Sequence, residues 1–187
     1  MKKIQDIDIE QIALNFSLTF KQVKTVLLVE AQGTGFLPSG KVKILFEAHH
    51  FSKLTNHIYD KTHPDISSLK WNKNLYKGPE GEWLRIEKAK SLNKSAALKS
   101  ASWGLGQIMG SNHLAAGYKT VEEMVESFSN SEFDQLKGMM NLIKSNSSMF
   151  IALKTLDWAK FAKLYNGESY KVNKYDLKLM NTYATIK

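Results

Sequence analysis

The stretch Val26-Leu27-Leu28-Val29-Glu30-Ala31-Gln32-Gly33-Thr34-Gly35-Phe36-Leu37-Pro38-Ser39-Gly40-Lys41-Val42-Lys43-Ile44-Leu45-Phe46-Glu47 decides how the chain is read. Its first half ends an apolar helix, expected over about 19–31, on a carboxylate, with Gly33 placed to stop it. Its second half sets a Pro-Ser-Gly turn between two apolar, partly alternating runs, the pattern of a β-hairpin. Glu30 thus follows residues that are apolar on every side, where an acid rarely sits unless paired or functional. Burial disfavours its anion, and the negative end of the helix dipole pushes the same way. An acid kept protonated near neutral pH suits protonation of a glycosidic oxygen. Glu47, seventeen positions on, ends the hairpin, and a helix end and a hairpin can hold two carboxylates across a cleft. Each residue also has a structural reading. Glu30 could turn to solvent or cap the next loop, and Glu47 could pair with Lys41, Lys43 or His49.

Outward from this stretch the pattern is helical. A first helix is expected at 8–15, joined to the second at Ser17, and another at 48–59. Residues 61–82 are polar and hold Pro64, Gly78, Pro79 and Gly81, as a surface segment would. Further helices are expected at 82–99, 104–109, 120–128, 132–145, 147–165 and 171–185. No internal repeat or low-complexity linker divides them. The expected fold is α+β, a mostly helical single domain over 1–187 with one small β-hairpin.

Composition removes several classes of function. The 187 residues, 43% of them hydrophobic, suffice for one sizeable core. With no cysteine there are no disulfides, thiolate metal sites or cysteine nucleophiles. The opening MKKIQDIDIE places acids where a secretion signal needs its apolar run, and no window is apolar enough for a membrane span. Synthesis as a soluble cytosolic chain is expected. A net charge of +8 draws the protein to polyanions: nucleic acid, anionic lipid, lipopolysaccharide or an acidic wall polymer. Residues 9–23 scan like a helix-turn-helix, which makes a DNA-binding protein one alternative. The second helix, however, is apolar where a recognition helix must be polar. His49, His50, His57, His63 and His113 lack the spacing of a zinc hydrolase motif, and no metal or cofactor is expected. There is no Gly-x-Ser-x-Gly elbow for a serine nucleophile.

A set of short motifs then falls into order. It comprises Val29-Glu30, Gly33-x-Gly35-Phe36-Leu37, Gly40, Ile44-Leu45-Phe46-Glu47-x-His49-x-Phe51 and Pro64-Asp65-Ile66. It continues with Ser100-Ala101-Ser102-Trp103-Gly104-Leu105-Gly106-Gln107-Ile108-Met109-Gly110, Tyr165-Asn166-Gly167, Tyr170, Asn173, Tyr175-Asp176 and Leu179. From about residue 20 onward the chain resembles the N-acetylmuramidase family, peptidoglycan-cleaving endolysins with a lysozyme-like fold, mainly from phages and prophages of Gram-negative bacteria. The resemblance implies that Glu30 is the catalytic acid and that Gln107, Tyr165 and Asn166 line a saccharide groove. It also implies a bacteriolytic hydrolase that meets the periplasmic wall only after release from the host cytoplasm. Two departures stand out: Ala31 where the family usually has Ser, and Gly106 where relatives place Phe or Met.

The residues themselves support that picture. Trp103 offers an aromatic plate beside glycines that admit a sugar closely, and Gln107 can both donate and accept. The alternative is a helix start capped at Ser102 with Trp103 in the core. Glu47 is taken as the second carboxylate. The last helix carries Lys171, Lys174 and Lys178 apart from an apolar stripe of Val172, Tyr175, Leu179 and Tyr183. It is either plain core with a solvated face, or a contact for lipopolysaccharide or anionic outer-membrane lipid. In the second case, deleting 170–187 would spare cleavage of purified peptidoglycan. The expected partner is the peptidoglycan glycan strand, with no nucleic acid, and the protein is expected to be a monomer without a separate wall-binding module. The nearest enzymatic alternative is a lytic transglycosylase releasing 1,6-anhydro ends.

Overall fold

The computed structural model describes residues 2–31 and 33–187. Two helices open the chain, α1 (Asp6–Phe16) and α2 (Phe20–Glu30), bent 115° from one another. Ser17 stops α1 with a left-handed φ of 52°. Thr19 caps α2: its Oγ1 accepts from Gln22 N at 3.2 Å, while Gln22 Oε1 accepts from Thr19 N at 2.8 Å. Val23, Val26 and Leu27 face the core, but Leu28 is 55% exposed, so α2 is amphipathic and not apolar all round. Glu30 lies one turn beyond Val26 on the same inward stripe.

The Pro38-Ser39-Gly40 turn forms as expected, with Leu37 N donating to Lys41 O at 2.8 Å and a single antiparallel bridge between Phe36 and Val42. The strand after it, β1 (Ile44–Phe46), pairs elsewhere. It runs antiparallel to β2 (Ala101–Trp103), which in turn pairs with β3 (Ile108–Met109). Leu45 stands opposite Ser102, and Ser102 opposite Met109. The expected lone hairpin is therefore corrected to a three-stranded sheet in the order β1-β2-β3. The helix expected at 104–109 is corrected to the turn and strand that close this sheet. Gly104 at φ 68° and Gln107 at φ 45° are both left-handed, which a right-handed helix cannot accommodate.

The remaining helices are α3 (Ala48–Leu54), α4 (Gly78–Leu92), α5 (Lys94–Lys99), α6 (Val121–Asn130), α7 (Glu132–Ser145), α8 (Ser147–Lys154), α9 (Trp158–Asn166) and α10 (Tyr175–Thr185). The helices expected at 82–99 and 147–165 each break in two. Asn93 goes extended and caps α5 through Ala96 N at 3.0 Å. Leu156 takes φ 59°, and Asp157 caps α9 through Lys160 N at 3.1 Å. One core joins all layers, with Phe46, Phe51, Trp103, Phe128 and Phe161 among its fully buried side chains. Within it, Glu82 and Arg85 of α4 pair at 2.7 Å and hold the end of β1 from both sides. Phe46 N donates to Glu82, and Arg85 donates to Phe46 O. α10 packs across α2 and α9, with Leu179 fully buried. Among the described residues no single helix is long and apolar enough to cross a membrane.

Candidate active site

Five segments meet at a cavity of about 220 Å³: the end of α2, the approach to β1 at Lys43, the 104–107 turn, the end of α9 and the start of α10. Glu30, Lys43, Gly106, Gln107, Tyr165, Asn166 and Tyr175 are in its lining. A second cavity, of about 370 Å³, shares Gly106, Gln107 and Tyr165 and continues past Ile108 and Met109 to Asn112, Asn146 and Met149. The two form one groove crossing the glycine-rich turn.

Glu30 is half-buried at the helix end. Burial holds its carboxyl above the usual carboxylate range, opposed by a hydrogen bond from Asn166 and by the positive charge of Lys178. The Asn166 Nδ2 donates to Glu30 Oε1 at 3.1 Å. Tyr165 precedes it on α9, its ring stacked on Phe161 at 5.7 Å. Burial and the nearby Glu30 charge push its phenol up, so it remains a neutral hydroxyl. Tyr175 carries the Lys178 ammonium 5.0 Å above its ring, which brings α10 into the site.

Gln107 sits in the groove, but its amide is already employed. Oε1 accepts from Ser102 Oγ at 2.9 Å, and Nε2 donates to Gly104 O at 2.8 Å and Lys43 O at 3.3 Å. One Oε1 lone pair stays free for a ligand hydroxyl. The turn is anchored from behind by Gln135 of α7, fully buried, whose Oε1 accepts from Leu105 N at 2.8 Å. A side chain on Gly104 would meet the Gln135 amide at 2.6 Å. A side chain on Gly106 would meet Met139 Sδ at 3.1 Å, and Gly106 lines both cavities.

Trp103 does not reach the groove. Its ring is fully buried on the core face of β2, its Nε1 donates to Leu98 O at 3.0 Å, and it meets Trp83 edge-on at 6.0 Å. The aromatic-plate expectation is corrected: the strand pleat sends Trp103 inward and Ser102 toward Gln107.

Glu47 lies outside the Glu30 cavity. It shares the half-exposed face of β1 with Lys43 and Leu45, alternating with buried Val42, Ile44 and Phe46. From Lys43 to Glu47 that face runs roughly 13 Å by strand rise. The Glu47 Oε2 accepts from Tyr76 Oη at 2.8 Å and lies 3.3 Å from His49 Nδ1. Tyr76 is pushed up to about 12 by burial and by its bond to Glu47, so it donates as a neutral phenol. The neighbouring His50 is lowered by burial and by His49, whose ring lies 4.4 Å away. Among the described residues no group of three or more His, Asp or Glu could hold a metal ion.

Sequence reasoning missed Lys43, Tyr175 and Lys178, and missed Tyr76 behind Glu47. The alternation Val42-Lys43-Ile44-Leu45-Phe46-Glu47 does signal that Lys43 shares a face with Glu47. Nothing local marks Tyr76, because its partner lies twenty-nine positions away.

A helical body around a small antiparallel sheet, with a half-buried acid at a helix end over a polar groove, defines a lysozyme-type glycoside hydrolase. The chain belongs to the N-acetylmuramidase family, whose model matches residues 19–187. Among solved structures it is similar to a crystal structure of Burkholderia AP3 phage endolysin. The TM-score is 0.92 and the identity 32%, over 98% of this chain and 71% of that one. No curated protein matches it significantly. The enzyme is thus a peptidoglycan hydrolase, and the DNA-binding and transglycosylase alternatives are not favoured.

Proposed function

We propose that the enzyme cleaves the N-acetylmuramic acid–N-acetylglucosamine bond with Glu30 as general acid. The observation that carries this reading is a carboxyl raised by burial, opening on a polar groove and held in place by Asn166 Nδ2. A protonated Glu30 delivers its proton to the glycosidic oxygen as the bond breaks. Asn166 then donates to the carboxylate that remains. Tyr165, Asn166 and the free lone pair of Gln107 bind the sugars on either side. Glu47 is the second carboxylate, oriented by Tyr76 and His49 on the same face of β1 that reaches the groove at Lys43. It supports the electron-poor sugar ring or directs water to it. No step requires a metal or a cofactor.

The enzyme acts as an endolysin, a monomer made in the host cytoplasm and released onto the periplasmic wall at lysis. Similarity to a phage endolysin and the +8 charge support this role. The outer face of α10 adds a contact for lipopolysaccharide or anionic lipid. Lys174, Leu177 and Met180 are exposed there, beside exposed Lys171 and Val172. The test is to replace Lys171 and Lys174 together by Glu. Cleavage of purified peptidoglycan should persist while lysis of intact Gram-negative cells falls. Equal lysis by both proteins would remove the membrane contact from the account.

A further inference from the structure

Trp71 is the one tryptophan of four that stands well out in solvent, 58% exposed on the polar segment between α3 and α4. An indole on a surface loop normally turns freely. This one is pinned: its Nε1 donates to Tyr76 Oη at 2.8 Å, and the Tyr76 hydroxyl donates onward to Glu47 Oε2 at 2.8 Å. The rings of Trp71 and Tyr76 meet edge-on at 6.4 Å rather than stacking face to face, and the indole stays largely in solvent. Glu47 belongs to the half-exposed face of β1 that begins at Lys43 in the Glu30 cavity. The bond chain therefore fixes an aromatic plate beside Glu47, at the end of that face away from Lys43.

We propose that Trp71 is a stacking platform for a pyranose ring of the glycan strand, a saccharide subsite that flanks Glu47 on the face of β1 leading from the Glu30 cavity. The chemistry favours a sugar over other occupants. The axial C–H face of a pyranose is apolar and matches an indole face, while its hydroxyls stay in water. A plate fixed in advance also loses little entropy on binding. The platform rests on the reading of the Glu30 groove as the site of glycan cleavage.

The test compares binding of soluble, uncross-linked peptidoglycan strands to the Glu30→Gln protein, alone and with Trp71→Ala or Trp71→Phe added. It is followed by calorimetry and by indole emission, with KM and kcat measured for the same Trp71 variants in the active enzyme. Strands should shift the emission of the parent, and Trp71→Ala should abolish that shift. Trp71→Ala should weaken strand binding and raise KM about five-fold, as loss of an aromatic contact predicts. Its kcat should hold, as should its affinity for the disaccharide product. Trp71→Phe, which keeps a stacking face without the N–H, should bind nearly as the parent does. Undiminished binding by Trp71→Ala would overturn the platform while leaving the cleavage site intact. A Trp71→Phe protein as impaired as Trp71→Ala, with the loss in kcat, would overturn it in favour of a relay to Glu47. Wild-type enzyme that leaves the strands uncut would overturn the groove reading and the platform together.

Discussion

At Glu30 three influences compete: burial favours the acid, while the Asn166 amide and the Lys178 ammonium favour the anion. The consequences for activity and for stability differ. Glu30→Gln keeps the shape and removes the proton, and should slow cleavage by about 10²- to 10⁴-fold, measured as fragments released per unit time. Because the folded-state pKa is raised above the unfolded one, the stability Glu30 contributes is complete below the unfolded pKa. It is lost as pH rises through the folded pKa. Glu30→Gln should thus melt higher than the wild type at pH 7 and lose that advantage near about pH 4. Asn166→Leu tests the opposing influence. Without the donor the anion is less supported, and the alkaline limb of the pH–rate profile should move to higher pH. An unmoved limb would assign Asn166 to sugar binding alone.

Among the elements, the sheet decides where the groove lies. The β2–β3 turn is left-handed at Gly104 and Gln107 and is tied to α7 through Gln135, which also donates to Phe128 O at 2.7 Å. Gln135→Leu would orphan two buried backbone groups and should cost on the order of 1–3 kcal/mol for each in a denaturant melt. Trp103→Ala should cost about 3–5 kcal/mol through the cavity it leaves. A surface plate would cost almost nothing, so the two roles of Trp103 separate cleanly. The break at Ser17 and the Pro38-Ser39-Gly40 turn were legible, since each depends on residues within four of one another. The partner of β1 was not legible. It lies about sixty residues on, and Ser102-Trp103-Gly104-Leu105 reads equally well as a capped helix start until Gln135 arrives from α7. For the same reason Glu30 and Asn166 could be singled out, while their meeting at 3.1 Å depended on the packing of α9. Lys43 and Lys178 carry no motif of their own, and Lys43 and Tyr175 reach the Glu30 cavity only through the fold.

On the scale of the whole molecule, α10 cannot be a detachable tail. It buries Leu179 against the core, packs the Tyr183 ring at a tilt against Trp158 with centroids 5.4 Å apart and supplies Tyr175 to the Glu30 cavity. Deletion of 170–187 should therefore abolish cleavage of purified peptidoglycan as well as lysis of cells, against the expectation from charge pattern alone. Retained activity in the truncated protein would make α10 peripheral after all. The central claim is a hydrolase that uses Glu30 as its acid, and mass spectrometry of fragments from purified Gram-negative peptidoglycan tests it most directly. The account predicts reducing N-acetylmuramic acid ends that disappear with Glu30→Gln. Anhydro ends, lighter by one water, or reducing ends that persist in the variant, would contradict it.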